Sequence, residues 1–420
     1  MNHFELREGV LHAENIPLPR IAAEVGTPVY VYSQATLVRH ARVFRDALSG
    51  LKDPHIAFAV KANPNLAVLK ILQREGYGAD VVSGGELARA LAADMAPKDI
   101  VFSGVGKSQD ELIYGLETGI GQFNLESEEE GIELSALAVQ HGKVAHCALR
   151  VNPDVDARTH EKISTGKAEN KFGVPIHRAG EIYAALAALP GINMRGIAVH
   201  IGSQLASLEP LETAFEKVGL LIAQLRTQGQ IVTHADLGGG LGVPYKSDDV
   251  IPRPAEYGAM VAKVTADWDV ALSFEPGRVI AGNAGVLLTR VIRVKRSSNA
   301  QPFVVVDAAM NDLARPAMYG AWHDIDAVVP RGDRTIAHVV GPICETGDTF
   351  AMNREMDTLE AGDLAIFRTA GAYGATMASS YNSRGFVPEV LVDGDQFAVV
   401  ADRLPAANIM AAERVPSWLK

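Results

Sequence analysis

The sequence predicts a (β/α)8 barrel followed by an all-β region, and three observations predict it. Short apolar runs alternate with helical patterns as far as about residue 280. The helical rhythm then stops, and strand-like runs separated by turn residues take over from about Asn283. Chemically capable residues fall directly after the runs of the first part rather than at random. The apolar runs are Ile56–Val60, Ala79–Val82, Ile100–Ser103, Gln122–Leu125, Ala145–Val151, Gly196–Ile201, Ala235–Leu237 and Ala271–Phe274. Between them, segments such as Leu66–Arg74, Gly85–Ala93, Gln109–Thr118, Glu128–His141, Ala179–Leu189 and Glu212–Gln228 repeat apolar residues at spacings of three and four, the period of an amphipathic helix. Strands that alternate with helices form parallel sheets, and eight of them suit a closed barrel. A doubly wound open sheet has the same alternation, so periodicity leaves it open.

Val286–Val294, Phe303–Val306, Ile336–Val340, Leu364–Arg368, Glu389–Val392 and Gln396–Val400 read as strands of an antiparallel β region. Phe4–Leu11 also alternates and is a candidate to join it, and Val29–Tyr32 is a short strand ahead of the barrel. The expected division is a barrel over 27–282 and a β-domain formed by 1–26 with 283–420. Two long loops are expected, Asn152–Lys171 and Tyr245–Pro254; the first is polar and rich in lysine, which suits mobility or function.

Bulk composition narrows the function classes. The chain has 420 residues, 48% hydrophobic and 21% charged, which suits a globular protein with a sizeable core. Its formal charge of -11 disfavours nucleic acid and anionic membrane surfaces as partners. No apolar run is long enough to span a bilayer. The first ten residues carry acids and no apolar stretch, so no secretory signal is expected. Two cysteines, Cys147 and Cys344, make neither a disulfide framework nor a cysteine zinc site, and no metal is expected. A reducing cytoplasm is the expected location.

In a barrel, residues after strands gather at the C-terminal rim, where such folds keep their chemistry. Lys61 follows the first run (AFAVKANPN). A lysine there is more often a solvated strand end; partly buried, it becomes an amine nucleophile. Ser83 follows the second run, and Arg150 lies near the end of the fifth. His200 (VHIGSQ) reads first as a satisfied core histidine, with stacking on an aromatic cofactor as the functional alternative; Gly202 and Ser203 would allow close approach and offer a hydroxyl. Gly238, Gly239, Gly240 and Gly242 lack dinucleotide-binding spacing, but consecutive glycines can present N–H groups to a phosphate; a flexible loop is the plainer reading. Glu275 and Arg278 (EPGR) form either a rim ion pair or an acid for a pyridine nitrogen beside a carboxylate-binding guanidinium. Cys147 lies in an apolar strand and reads as structural, whereas Cys344, in CETGD, is placed to deliver a proton.

Taken in order, AVKAN, VVSGGE, HIGSQ, DLGGGLG, EPGR, CETGD and GAYG resemble the fold type III pyridoxal-phosphate decarboxylases, and the likeness runs from VGTPVYVY almost to the C-terminus. Each motif alone is weak; seven in family order are not coincidence. The resemblance implies an alanine racemase-like barrel with a β-domain, pyridoxal 5'-phosphate as cofactor, and a homodimer with shared active sites. It implies that Lys61 forms the internal aldimine, His200 stacks on the ring and Glu275 pairs with the pyridine nitrogen. The phosphate would rest on Ser203, Gly239, Gly240 and the loop at Gly277 and Arg278, with Tyr373 closing over it and Arg150 near the cofactor. Cys344 of the partner subunit would protonate the carbanionic carbon.

Within the family, Arg278, Arg315, Tyr319 and Tyr373 match positions that hold a substrate, and Glu345 matches one that binds its ammonium. Two arginines suit a substrate that keeps a carboxylate after losing CO2. The opening FELREGVLHAENIPL also resembles the lysine-forming branch. The expectation is therefore decarboxylation of meso-2,6-diaminopimelate, at its D-configured centre, to L-lysine and CO2 as the last step of lysine biosynthesis. Thr346 departs from the usual Ser but keeps the hydroxyl. The rivals are a decarboxylase of ornithine, arginine or carboxynorspermidine, an amino-acid racemase, and a catalytically silent binding protein; retention of both Lys61 and Cys344 disfavours the last.

Overall fold

The computed structural model describes residues 2–157, 165–166, 171–298 and 300–419. The chain divides into two compact units: Val38–Pro244 with Val250–Ile280, and Met1–Leu37 with Tyr245–Asp249 and Ala281–Lys420.

The first of these units is a closed barrel of eight parallel strands. They are His55–Ala59, Gly78–Val81, Ile100–Phe102, Gln122–Leu125, Ala145–Asn152, Ile192–Ala198, His234–Asp236 and Ala271–Phe274, and the last pairs back onto the first through Ser273–His55 and Phe274–Ile56. Closure excludes the open doubly wound sheet. Three successive strands are followed by helices that start the same way: Ser83, Ser108 and Ser127 each accept the N–H of a glutamate three residues on (Glu86, Glu111, Glu130). These caps satisfy N–H groups that a helix leaves unpaired at its start. Ser83 is thus a helix cap, which accounts for its place after a strand.

The sixth strand differs from expectation. It ends at Ala198 rather than Ile201, so His200 stands beyond it. The backbone runs on without a ladder: Val199 N–H donates to Asp236 O, and Ile201 O accepts from Thr165 N–H. Of the expected loop 152–171, residues 158–164 and 167–170 lie outside the described residues. Of the expected loop Tyr245–Pro254, the last residue begins a helix, Pro254–Val264, whose N1 proline has no N–H to leave unpaired.

The other unit is built on a nine-stranded sheet around a long strand, Gly285–Ser297, flanked by Ala300–Val306, Leu364–Phe367 and Val29–Ser33. The sheet is mixed rather than antiparallel. Phe303–Val305 runs parallel to His338–Val340, and Tyr30–Ser33 runs parallel to Glu389–Val392. Strands far apart in the chain need no hairpin, so parallel neighbours carry no connection penalty. Thr349–Asp357 is a strand that patterning did not reveal, because Asn353, Arg354 and Glu355 interrupt its apolar residues and Asn353 sits at φ 48°. Phe4–Arg7 and Val10–Ala13 form a hairpin that, with Ile16–Pro17, makes a separate three-stranded sheet.

The second barrel strand lies tightly against the residue that precedes the third at Gly78, where a Cβ would stand 1.9 Å from Asp99 O. Gly78→Ala should therefore destabilise the protein by about 2–3 kcal/mol, while Gly50→Ala, which meets nothing within 4 Å, should stay within about 0.5 kcal/mol of the parent. Calorimetric unfolding of both variants decides this; equal unfolding temperatures would contradict the account.

Candidate active site

The ends of the barrel strands enclose a pocket of about 350 Å³, and Lys61, Ser103, Asn124, Arg150, His200, Asp236 and Glu275 line it. A larger cleft of about 660 Å³ lies at the opposite, N-terminal rim, beside Thr233 and Ala271. It gathers Lys52, Asp53 and Asp269 but none of the site residues expected from the sequence, so volume alone does not identify the chemistry.

Lys61 sits in a single 3-10 turn after the first strand. Its Nζ donates to Asp80 Oδ2 at 2.8 Å. Asp80 is fully buried, and its other oxygen, Oδ1, has no hydrogen-bond partner. Nearby, Glu86 Oε2 accepts the Val82 N–H at 2.9 Å.

Glu275 follows the eighth strand and is buried together with Asp236. Asn124 Nδ2 donates to both, at 3.1 Å to Asp236 Oδ2 and 3.3 Å to Glu275 Oε1. Ser103 Oγ donates to Glu275 Oε1 at 3.3 Å. Burial raises Glu275 well above the usual carboxylate range, and the charges of Asp236 and Asp80 push the same way against Lys61. Burial also raises Asp236, which the Gly238 N–H and Asn124 oppose. Two such carboxyls in contact share a proton.

His200 is pushed well below its ordinary range by burial first, then by Arg150 and Lys61. Geometry agrees: its Nδ1 lies 3.1 Å from the Gly239 N–H, which can only donate. The ring is therefore neutral, with its proton on Nε2. Gly239 and Gly240 are held tightly rather than forming a flexible loop. A Cβ on Gly239 would stand 2.2 Å from Glu275 O, and one on Gly240 2.5 Å from Gly202 O. Arg278 donates to Ser203 Oγ from Nη2 at 3.1 Å, and Gly277 packs against Ala59 and Ala62. Arg150 is buried, donates to Glu126 Oε1 at 2.6 Å and lies over the Phe172 ring.

The remaining predicted residues belong to the β-sheet unit. Cys344 is exposed. Its loop is anchored by the buried carboxylate of Asp348, which accepts N–H groups from Met310 at 2.6 Å and Ile343 at 2.7 Å. That explains the aspartate of CETGD. Glu345 is exposed, and its proximity raises the Tyr381 hydroxyl above its ordinary range. Arg315 opens a short helix, Arg315–Tyr319, and its Nη1 donates to His323 Nε2 at 2.9 Å, while His323 Nδ1 donates to Arg368 O. Tyr373 has a left-handed backbone, φ 54°. Cys147 is buried, and burial raises its thiol out of reactive range. Among the described residues, no group of three or more His, Cys, Asp or Glu could hold a metal.

Sequence inspection missed Asp80, Glu86, Ser103, Asn124, Glu126 and Asp236. Asn124 and Asp236 carried a signal, being polar residues inside runs that otherwise read as buried strands. The donor set fits pyridoxal phosphate: an amine for its aldehyde, a buried acid for its ring nitrogen and a neutral imidazole line one pocket, beside glycines that allow backbone approach.

Burial raises Glu86 from 4.5 to about 7, opposed mainly by the Val82 N–H. The fold therefore binds a proton that the unfolded chain releases at lower pH. The resulting stabilisation is complete below about pH 4.5 and disappears as pH rises through about 7. Glu86→Gln removes that dependence, so the unfolding temperature of the variant minus that of the parent should rise across this window. A pH-independent difference would show that Glu86 titrates normally.

The comparisons with known proteins agree with this geometry. Residues 34–282 match the family model described as pyridoxal-dependent decarboxylase, pyridoxal binding domain. The diaminopimelate decarboxylase of Zymomonas mobilis is 51% identical over 419 residues, 99% of each chain. The structure of diaminopimelate decarboxylase from M. jannaschii with L-lysine superposes with a TM-score of 0.96 at 34% identity, covering 100% of both chains. The Helicobacter pylori enzyme with L-lysine gives 0.90 at 36% identity, covering 94% of this chain and 98% of that one. With its barrel pocket and full-length likeness, the chain belongs to the diaminopimelate decarboxylase family of pyridoxal-dependent decarboxylases.

Proposed function

We propose that the chain decarboxylates meso-2,6-diaminopimelate to L-lysine and CO2 with pyridoxal 5'-phosphate. The observation that carries this is the convergence of Lys61, His200 and Glu275 on one barrel pocket. The L-lysine bound in the M. jannaschii and Helicobacter pylori enzymes supports the choice of product. When bound, the cofactor supplies an aldehyde that captures amines and a ring that draws in the electron pair left by departing CO2.

In this reading Lys61 holds the cofactor through Nζ, and Asp80 orients that amine. Glu275 meets the ring nitrogen. His200, being neutral, orients the ring without adding positive charge beside it. Ser203, Gly239, Gly240, Gly277 and Arg278 hold the phosphate, Tyr373 closes over it, and Arg150 shapes the pocket wall. Arg278 and Arg315 bind substrate carboxylate with Tyr319 and Tyr373, and Glu345 binds the distal ammonium; guanidinium forks suit a planar carboxylate. Arg315 is presented ready-made by His323, whose Nδ1 is committed to Arg368 O. The Cys344 thiol returns a proton to the carbon that CO2 leaves. The working unit is a homodimer in which each site takes Cys344 from the partner subunit. The location is the cytoplasm; no described helix is long and apolar enough to cross a membrane.

Cofactor-loaded protein should release CO2 and lysine from meso-diaminopimelate and no CO2 from ornithine, arginine or lysine, each assayed separately with the product identified. Lys61→Ala should abolish both turnover and the visible-edge absorbance of the loaded protein. CO2 from another substrate would sink the assignment of Arg315 and Glu345.

Cys344→Ala should retain cofactor binding and lose turnover. Mixing it with Lys61→Ala under subunit exchange should restore activity that neither variant has alone. Failure to recover any would argue against a site shared between subunits.

A further inference from the structure

Gln122 and Asn124 stand two residues apart on the fourth barrel strand and so share a face. Both are almost fully buried, 3% and 2% exposed. At the opposite end of this polar line, Arg195 on the sixth strand donates from Nη2 to Gly121 O at 2.8 Å and to Gln122 Oε1 at 3.2 Å. Gln122 Nε2 donates to Asn124 Oδ1 at 2.8 Å. Asn124 Nδ2 then faces Ser103 Oγ at 3.1 Å, Asp236 Oδ2 and Glu275 Oε1.

The direction of this line is set at one end. A guanidinium only donates, so Gln122 must turn its oxygen toward Arg195 and its NH2 toward Asn124. Asn124 must then turn its own oxygen toward Gln122 and its NH2 toward the carboxyls. We propose that Asn124, held by Gln122 and Arg195, is a positioning residue that keeps Glu275 an ionised acceptor for the protonated ring nitrogen of the cofactor. The proposal rests on the reading that Glu275 meets that nitrogen.

The physical need is plain. Burial and the neighbouring acids favour a protonated Glu275, which could not accept a ring N–H. N–H donors favour the ionised form. An Asn124 rotated by half a turn would offer its oxygen instead and would favour the protonated acid. Arg195 forbids that rotation through two amides without touching either carboxyl.

The test measures equilibrium binding of pyridoxal phosphate, and of its analogue with carbon in place of the ring nitrogen, to the full chain stripped of cofactor. The ratio of the two affinities isolates the nitrogen. Asn124→Leu should lower that ratio by about tenfold, the effect of losing a hydrogen bond to a charged group. Gln122→Met, which leaves Asn124 in place but free to rotate, should lower it less, and it serves if Asn124→Leu does not fold. A merely structural role would weaken both ligands equally and leave the ratio unchanged; that result would overturn the proposal. Glu275→Gln is the separate control. If it lowers the ratio while the amide variants do not, Glu275 still meets the nitrogen and only the role of Asn124 fails. If it leaves the ratio unchanged, the reading of Glu275 falls and this inference falls with it.

Discussion

Of the buried carboxyls in the barrel unit, Glu126 is paired with Arg150, and Asp80, Asp236 and Glu275 act on one another; much of the site answers to the charge of these three. Two unit charges about 4 Å apart repel by roughly 4 kcal/mol at an effective dielectric of 20, equivalent to about three pKa units. Three anions therefore cannot stand side by side without compensation. Asp80 has the Lys61 ammonium at 2.8 Å. Asp236 and Glu275 have neutral donors, from Asn124, Ser103 and the Gly238 N–H, and share what charge those donors can support. A buried acid pair short of positive charge is suited to a cationic ring nitrogen. The same arrangement without a ligand sacrifices stability, as sites poised for function commonly do.

Backbone packing is the second constraint, and it follows from the first. For the seventh strand to deliver Asp236 beside Glu275, the chain leaving it must pass directly under the residue after the eighth. Gly239 makes that passage: any side chain there would collide with Glu275 O, 2.2 Å from where its Cβ would stand. The same passage brings the Gly239 N–H to His200 Nδ1. One glycine thus fixes the distance between two acids and the protonation state of the imidazole.

Most of the fold was legible from pattern. Buried parallel strands are short apolar runs, and amphipathic helices keep their period, so seven of the eight barrel strands lie close to their expected bounds. The sixth was expected at Gly196–Ile201 but runs Ile192–Ala198: Asn193 and Arg195 mask its start, and the chain stays extended through Val199–Ile201 after the ladder has ended. Thr349–Asp357 was invisible because charged residues break its pattern. Site residues were legible where they follow strands, as Lys61, His200 and Glu275 do. Asp80, Asn124 and Asp236 lie within strands, where a lone polar residue reads as one outward-facing position. What distinguishes a lumen position from an outer one is barrel closure, which no local pattern carries. Ser83 shows the opposite error, since a helix cap and a catalytic hydroxyl occupy the same place after a strand.

Hydrogen-bond direction links the two units' chemistry by the same logic, each in its own frame. In the barrel, a backbone N–H fixes His200 as an acceptor at Nδ1. In the β-sheet unit, the carbonyl of Arg368 fixes His323 as a donor at Nδ1, and the Arg315 guanidinium, which can only donate, fixes its Nε2 as an acceptor. Both rings are held neutral by a partner with only one possible role. A charged His323 would present N–H groups to both neighbours and release Arg315, whose guanidinium also stacks over Tyr245 at 4.4 Å. A main-chain N–H therefore keeps positive charge off His200, and the Arg315 guanidinium keeps it off His323.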